Sequence, residues 1–315
     1  MTERRPSAEG VAAAAKRIAG LVTETPLLPF EHAGRLYWVK PECLQQSGSF
    51  KLRGATNRLV QLDEAARARG VVAFSSGNHA QGVAMAAQRL GIPAAIVMPS
   101  DAPAVKVEGT RNSGAEVILY DRATGNREEI GARLATERGA TLVPSFDDVD
   151  VIEGQGTIGV EIRAQLGAAP PMVVVPCGGG GLSGGVALAL PESQVVLVEP
   201  EGWDDMTRSL ALGRIVPVGD NPPPTLCDAL QTKLVSPLTL GALRDAGAQA
   251  LAVGQAEVEE AMRFAFRALR IVAEAGGAVA LAAVLSGQVD APENSVIVVS
   301  GGNVDPALYA QILGR

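Results

Sequence analysis

The sequence is poor in aromatic residues, cysteine and histidine. Phe, Trp and Tyr make up 3% of its 315 residues, so Ala, Val, Leu and Gly must fill the core and few rings are left on which nucleobases could stack. The net charge is −7 and no basic stripe is present, which argues against nucleic acid as a partner. No apolar run reaches the length of a membrane span, so no membrane role is expected. The first twenty residues, MTERRPSAEGVAAAAKRIAG, lack the continuous apolar stretch of a secretory signal. Their Ala-rich part reads as an amphipathic helix. The three cysteines, Cys43, Cys177 and Cys227, are odd in number and far apart, which speaks against a disulfide framework or a zinc site. They read as reduced packing residues, and this fits the cytoplasm.

What the chain has instead is glycine, 36 residues of it, clustered after short β-branched runs. VVAF (71–74), AAIVMP (94–99), AEVILY (115–120) and TLVPSF (141–146) read as one series of strands. MVVVP (172–176), QVVLVEP (194–200), ALAVG (250–254) and SVIVVSGG (295–302) read as a second. Helical spacing in GNHAQGVAMAAQRLG and NREEIGARLATERG lies between members of the first series. The expected fold class is therefore α/β, with two lobes, each an open and mostly parallel sheet flanked by helices. A ligand is expected in the cleft between them, at the carboxyl ends of the strands. The three prolines of VGDNPPPTLCD forbid regular structure over 218–228.

Three loops carry polar chemistry. In VVVPCGGGGLSGGVALAL a strand leads through Gly178, Gly179, Gly180 and Gly181 into a helix. Converging N–H groups and a helix N-terminus there form a cradle for phosphate. The pattern is neither GxxxxGKS nor GxGxxG, so nucleoside triphosphate and dinucleotide readings are weak. In FSSGNHAQG, Ser75, Ser76 and Asn78 can cap the next helix or present donors to a carboxylate. His79 invites a general-base role, but the loop binds without it and a structural role ranks first. His32 stands in a featureless segment. In SGGNVD, Ser300 at a strand end can meet a heterocycle nitrogen.

The stretch SGSFKLRGA (47–55) sets Lys51 among small residues and Phe50, with nothing acidic close in sequence to pair with Lys51 or Arg53. A positioned lysine, a phosphate cradle and a strand-end serine together describe pyridoxal phosphate. Lys51 would form the Schiff base, favoured by a lowered pKa.

PECLQQSGSFKLRGA, SSGNHAQGVA, CGGGGLSGG and SGGNVD, in this order across nearly the whole chain, resemble the signatures of the serine/threonine dehydratase and serine racemase family. These are pyridoxal-phosphate enzymes of the tryptophan-synthase-β-like fold. The resemblance implies that Lys51 carries the cofactor, Phe50 packs beside its ring, Asn78 meets its 3-hydroxyl, Gly178 to Gly181 hold its phosphate and Ser300 faces its pyridine nitrogen. It implies a substrate-carboxylate site at Ser75, Ser76, Asn78 and His79. It also implies β-elimination of water from an amino acid substrate, L-serine or L-threonine, to give a 2-oxo acid and ammonia, with Lys51 removing the Cα proton. A larger cofactor-anchoring unit (1–60 and 148–315), a smaller mobile one (61–147) and a homodimer are further expectations.

Several residues bear on the finer activity. Ser76 resembles the second acid/base of serine racemases, against a simple binding or capping role. Arg127 matches a racemase arginine near the pocket and would suit the second carboxylate of 3-hydroxyaspartate; the alternative is a solvated helix residue. In VEPEGWDDM, Glu199, Asp205 and the Trp203 carbonyl match the family's cation site, with oxygen ligands suited to Mg²⁺, Mn²⁺ or Ca²⁺; the alternative is a solvated acidic loop. Ala275 after Glu274, where relatives often have Pro, and Ala229, where they often have Gly, depart from the pattern and bear on the substrate. A cysteine-synthase-like β-replacement enzyme, a non-catalytic pyridoxal-phosphate carrier and a nucleotide-binding module are the competing readings.

Overall fold

The computed structural model describes residues 4–75, 77–102 and 104–314. Two sheets organise it. Four strands, β3 (Val71–Phe74), β4 (Ala94–Pro99), β5 (Glu116–Tyr120) and β6 (Thr141–Leu142), form one sheet in the order β5-β4-β3-β6, with every pairing parallel. The other sheet has six strands, β1 (Leu28–His32), β2 (Arg35–Pro41), β7 (Met172–Pro176), β8 (Gln194–Pro200), β9 (Gln249–Val253) and β10 (Val296–Val299), in the order β1-β2-β10-β7-β8-β9. Only the β1–β2 pairing is antiparallel. Every residue of β7 and of β10 is buried, as helices on both faces of a parallel sheet require.

The expected strands are present at nearly the expected limits. The exceptions are the run expected over 295–302, where the strand is only Val296–Val299, and the run expected over 141–146, which pairs only at Thr141 and Leu142 with Val71 and Val72. Beyond it the chain leaves the sheet as an irregular segment. The β1–β2 hairpin was not expected. Its turn places Ala33 and Gly34 at positive φ, and β2 alternates Arg, Leu, Tyr, Trp, Val only loosely. Helices Asn78–Leu90 and Arg127–Arg138 coincide with the expected helical patterns, each stopped by a left-handed glycine, Gly91 and Gly139. The N-terminal amphipathic helix is Ala8–Ile18, capped by Ser7. Residues 218–227 are without helix or strand. Among the described residues no helix is long and apolar enough to cross a membrane.

Strand order decides where a ligand can sit. In the first sheet the chain adds β4 and β5 on one side of β3 and β6 on the other. In the second it adds β8 and β9 on one side of β7 and β10 on the other. Each reversal opens a crevice at the carboxyl ends of two neighbouring strands. The loops leaving β3, β6, β7 and β10 are therefore the ones the topology frees, and three of them are the polar loops of the sequence.

Candidate active site

Lys51 opens the helix Lys51–Val60. The segment before it is pinned to the exit of β10: Phe50 N donates to Ser300 O at 3.1 Å, Ser49 bridges Gly301, and Gly302 N donates to Gly48 O at 2.9 Å. From there the Lys51 amine reaches towards the other sheet. Its Nζ donates to Ser145 O, in the segment after β6, at 2.8 Å and lies 5.1 Å from the centre of the Phe50 ring. No carboxylate accompanies it in these contacts. Desolvation by burial lowers its pKa from 10.5 to about 8, so a neutral fraction of about a tenth exists at pH 7. Phe50 and the Ser300 carbonyl are thus brought close to Lys51.

Arg53 behaves differently. It is fully buried and makes paired bonds to two carboxylates: Nε and Nη2 to Glu42 at 2.7 and 2.8 Å, Nη1 and Nη2 to Glu161 at 2.5 and 2.9 Å. Glu161 also accepts from the buried Lys40 Nζ at 2.6 Å. Burial pushes Glu42 up, but Arg53 outweighs this and holds it below the usual carboxylate range. The sequence shows no acid beside Arg53. The partners come from eleven residues before it and from the helix Val149–Leu166.

The loop after β7 leaves backbone donors open. Gly180 is the N-cap of the helix Gly181–Ala189 at φ +84° and supplies no side-chain cap, so the first helical N–H groups remain available to an outside acceptor. A Cβ at Gly180 would lie 2.6 Å from Met206 Cε and 2.9 Å from Thr239 Cβ, and one at Gly179 would enter the Phe146 ring. Backbone alone fits there, and a phosphate suits it.

Ser75 does not cap the helix Asn78–Leu90. Its Oγ accepts from Gly77 N at 3.2 Å, and the N-cap is Gly77. Ser76 lies outside the described residues. His79 is buried, with Nε2 at 2.8 Å from Val143 O and Nδ1 without a partner. Burial, and secondarily the Lys51 charge, lower its pKa to about 3. The imidazole stays neutral and its Nε2–H donates to Val143, which fits the structural reading. Asn78 Nδ2 donates to Glu274 Oε1 at 2.5 Å, and Asn78 Oδ1 accepts from Asn303 at 2.8 Å. The sequence reading missed Asn303 and Gln81, although both stand inside the quoted motifs. Arg127 begins the helix Arg127–Arg138 with Nε on Glu128 at 2.9 Å. Among the described residues no hydrogen bond links it to Lys51 or the glycine loop.

Glu199 and Asp205 lie together near the end of β8. Both Glu199 oxygens are occupied, by Met206 N at 3.0 Å and by Thr207 N and Oγ1 at 2.7 and 2.6 Å. Both Asp205 oxygens are buried without a partner. Desolvation raises Glu199 to about 8 and Asp205 to about 7. A buried carboxylate whose oxygens lack a well-placed donor, with only the Asp205 and Val235 N–H groups and the Arg208 charge acting weakly on it, suits a cation. Trp203 is buried beside them, its Nε1 on Pro223 O at 2.9 Å. All three cysteines are free.

The chain is similar to known proteins over nearly its whole length. The family model described as "Pyridoxal-phosphate dependent enzyme" matches residues 18–301. An L-threo-3-hydroxyaspartate ammonia-lyase from Pseudomonas is 43% identical over 95% of this chain and 96% of its own. An L-threonine ammonia-lyase from Thermotoga maritima is 43% identical over 90% of this chain and 71% of its own. The solved structure of maize serine racemase superposes with a TM-score of 0.92 at 35% identity, covering 98% of this chain and 97% of that one.

Proposed function

This chain belongs to the pyridoxal-phosphate-dependent enzymes, and within that family we propose that it is an ammonia-lyase for β-hydroxy amino acids, acting on L-serine or L-threonine. The observation that carries this reading is the Lys51 amine, held by Ser145 O with a pKa near 8 and no carboxylate attached. Such an amine can take up a Cα proton and return it at neutral pH.

Bound pyridoxal phosphate supplies the electron-withdrawing ring that makes the substrate's Cα proton acidic. The protein supplies the rest. Gly178 to Gly181 and the following helix N-terminus would hold the phosphate, Phe50 would pack beside the ring, Asn78 would donate to the 3-oxygen, and Ser300 would meet the ring nitrogen. A serine does not keep that nitrogen protonated as an aspartate would, which suits loss of a β-substituent better than transamination. Ser75 and the backbone N–H groups opening the helix Asn78–Leu90 would receive the substrate carboxylate. Lys51 would take the Cα proton, and the β-hydroxyl would leave as water on gaining one proton. The product hydrolyses to a 2-oxo acid and ammonia. Residues 61–147 close over the site and exclude water.

The two unpartnered Asp205 oxygens support a divalent cation held with Glu199 and the Trp203 carbonyl. A second reading, L-threo-3-hydroxyaspartate as the substrate, is favoured by relatives of that activity at 43% and 39% identity. Racemisation of serine would need a second acid/base, and Ser76 is the candidate to test. Small amino acids are the proposed partners, with a homodimer as the assembly.

Proton NMR in D₂O separates these readings. The holoenzyme is given L-serine, L-threonine and L-threo-3-hydroxyaspartate in turn, with chiral analysis of recovered substrate. A 2-oxo acid from serine or threonine supports the proposal, and from hydroxyaspartate alone the second reading. D-enantiomer with deuterium at Cα and no oxo acid refutes the lyase.

A further inference from the structure

The SGGNVD loop contributes more than a strand-end serine. Asn303 Nδ2 lies 2.9 Å from Ser47 O, 2.8 Å from Asn78 Oδ1 and 2.9 Å from Gln81 Oε1. Ser47 and Asn303 adjoin β10 of the six-stranded sheet, whereas Asn78 and Gln81 stand on the helix that follows β3 of the other. One amide therefore joins the two halves of the site at Asn78.

The donor and acceptor inventory fixes the direction of every bond in this chain. A peptide carbonyl only accepts, so the Asn303 atom facing Ser47 O must be the NH₂. That same NH₂ faces Asn78, so the Asn78 atom opposite it must be Oδ1, and the Asn78 NH₂ is turned the other way. There it donates one N–H to Glu274 Oε1 at 2.5 Å. Its second N–H has no acceptor in this network. The orientation follows from the Ser47 carbonyl and does not depend on the protonation of Glu274. The backbone is shaped around the arrangement: a Cβ at Gly48 would overlap Asn303 Oδ1, and a Cβ at Gly301 would overlap Glu274 Oε1.

We propose that Asn303 is a positioning residue that locks the Asn78 amide so that it offers an N–H, never its carbonyl, to the 3-oxygen of the cofactor. The inference rests on the proposed reading of Asn78 as the partner of that oxygen. An N–H donor favours the ionised 3-oxygen, while a flipped amide would set a carbonyl against it and favour the neutral hydroxyl. Asn303 touches neither cofactor nor substrate and acts only through Asn78.

The test uses the substrate-free holoenzyme and the absorbance bands of bound cofactor with its 3-oxygen neutral or ionised. Asn303→Leu, neutral and close in volume, removes the Asn303 restraint without adding charge and leaves only the Glu274 bond to orient the Asn78 amide. It is expected to move the band ratio towards the neutral form by up to about tenfold, the full change due when a hydrogen bond to a charged oxygen is lost. Gln81→Leu removes a contact between the two halves but leaves Asn78 anchored, and is expected to leave the ratio unchanged. If Asn303→Leu raises KM while the ratio stays at the wild-type value, Asn303 only joins the halves and the proposal is overturned. An equal shift in Gln81→Leu overturns it as well. Wild-type protein that binds pyridoxal phosphate without any Lys51-dependent absorbance would instead sink the underlying reading. Should Asn303→Leu not fold, Asn303→Ala serves, together with a crystal structure of wild-type holoenzyme. Separation of Asn303 Nδ2 from Asn78 beyond hydrogen-bond distance in that structure also refutes the lock.

Discussion

Lys51 should cost the cofactor-free protein stability, and the cost should depend on pH. Burial lowers its pKa from 10.5 to about 8. Between these values the unfolded chain binds a proton that the folded chain does not, so folding stability rises with pH across this window. Below about 8 both states are protonated and the penalty is complete; above 10.5 both are neutral and it is gone. The full drop corresponds to roughly 3 kcal/mol. Lys51 is only partly buried by its accessible surface and keeps its bond to Ser145 O, so about 1–2 kcal/mol is the expected effect. Lys51→Met keeps the shape of the chain without the charge. Urea unfolding of the two apoproteins at pH 7 should find the variant more stable by that amount. The difference should shrink towards zero at pH 10.5. A variant that is no more stable at pH 7, or a gain that is the same at both pH values, would refute the argument.

Three further outcomes follow from the geometry. Glu42→Gln leaves the buried Arg53 with one carboxylate instead of two, and urea unfolding should register a loss of about 3 kcal/mol. Gly180→Ala forces a side chain into φ +84° and onto Met206 and Thr239; cofactor titration should show at least tenfold weaker binding, with a stability loss of about 1–2 kcal/mol. Wild-type protein should gain thermal stability from millimolar Mg²⁺, Mn²⁺ or Ca²⁺, read by calorimetry, and Asp205→Asn should abolish the gain because it removes the unpartnered carboxylate.

The features legible in the sequence are those with a local cause. Continuous β-branched runs such as MVVVP and SVIVV are buried parallel strands because nothing else accommodates them on both faces. The CGGGG run marks a place where no side chain fits, since a Cβ at Gly179 would enter the Phe146 ring and one at Gly180 would meet Met206 and Thr239. The β1–β2 hairpin went unread because its alternation is loose and its turn uses Ala33 as well as Gly34. The partners of Arg53 were invisible for a different reason: Glu42 and Glu161 are brought to it by a short helical turn and by the packing of the helix Val149–Leu166, which no spacing rule encodes. The same holds for Asn303, whose residue name was on the page but whose partners on another element were not. Lys51 itself was found because its neighbours are small and uncharged, which is the sequence image of a desolvated amine.

The most direct test of the central claim is to compare wild-type protein and Lys51→Ala after loading with pyridoxal phosphate. Absorbance would be read first, and 2-oxo acid release from L-serine, L-threonine and L-threo-3-hydroxyaspartate second. The account predicts that the variant loses the absorbance of lysine-bound cofactor and falls by at least about a thousandfold in turnover, as loss of a residue that both holds the cofactor and moves the proton requires. A Lys51→Ala protein that keeps both the absorbance and full turnover would contradict it.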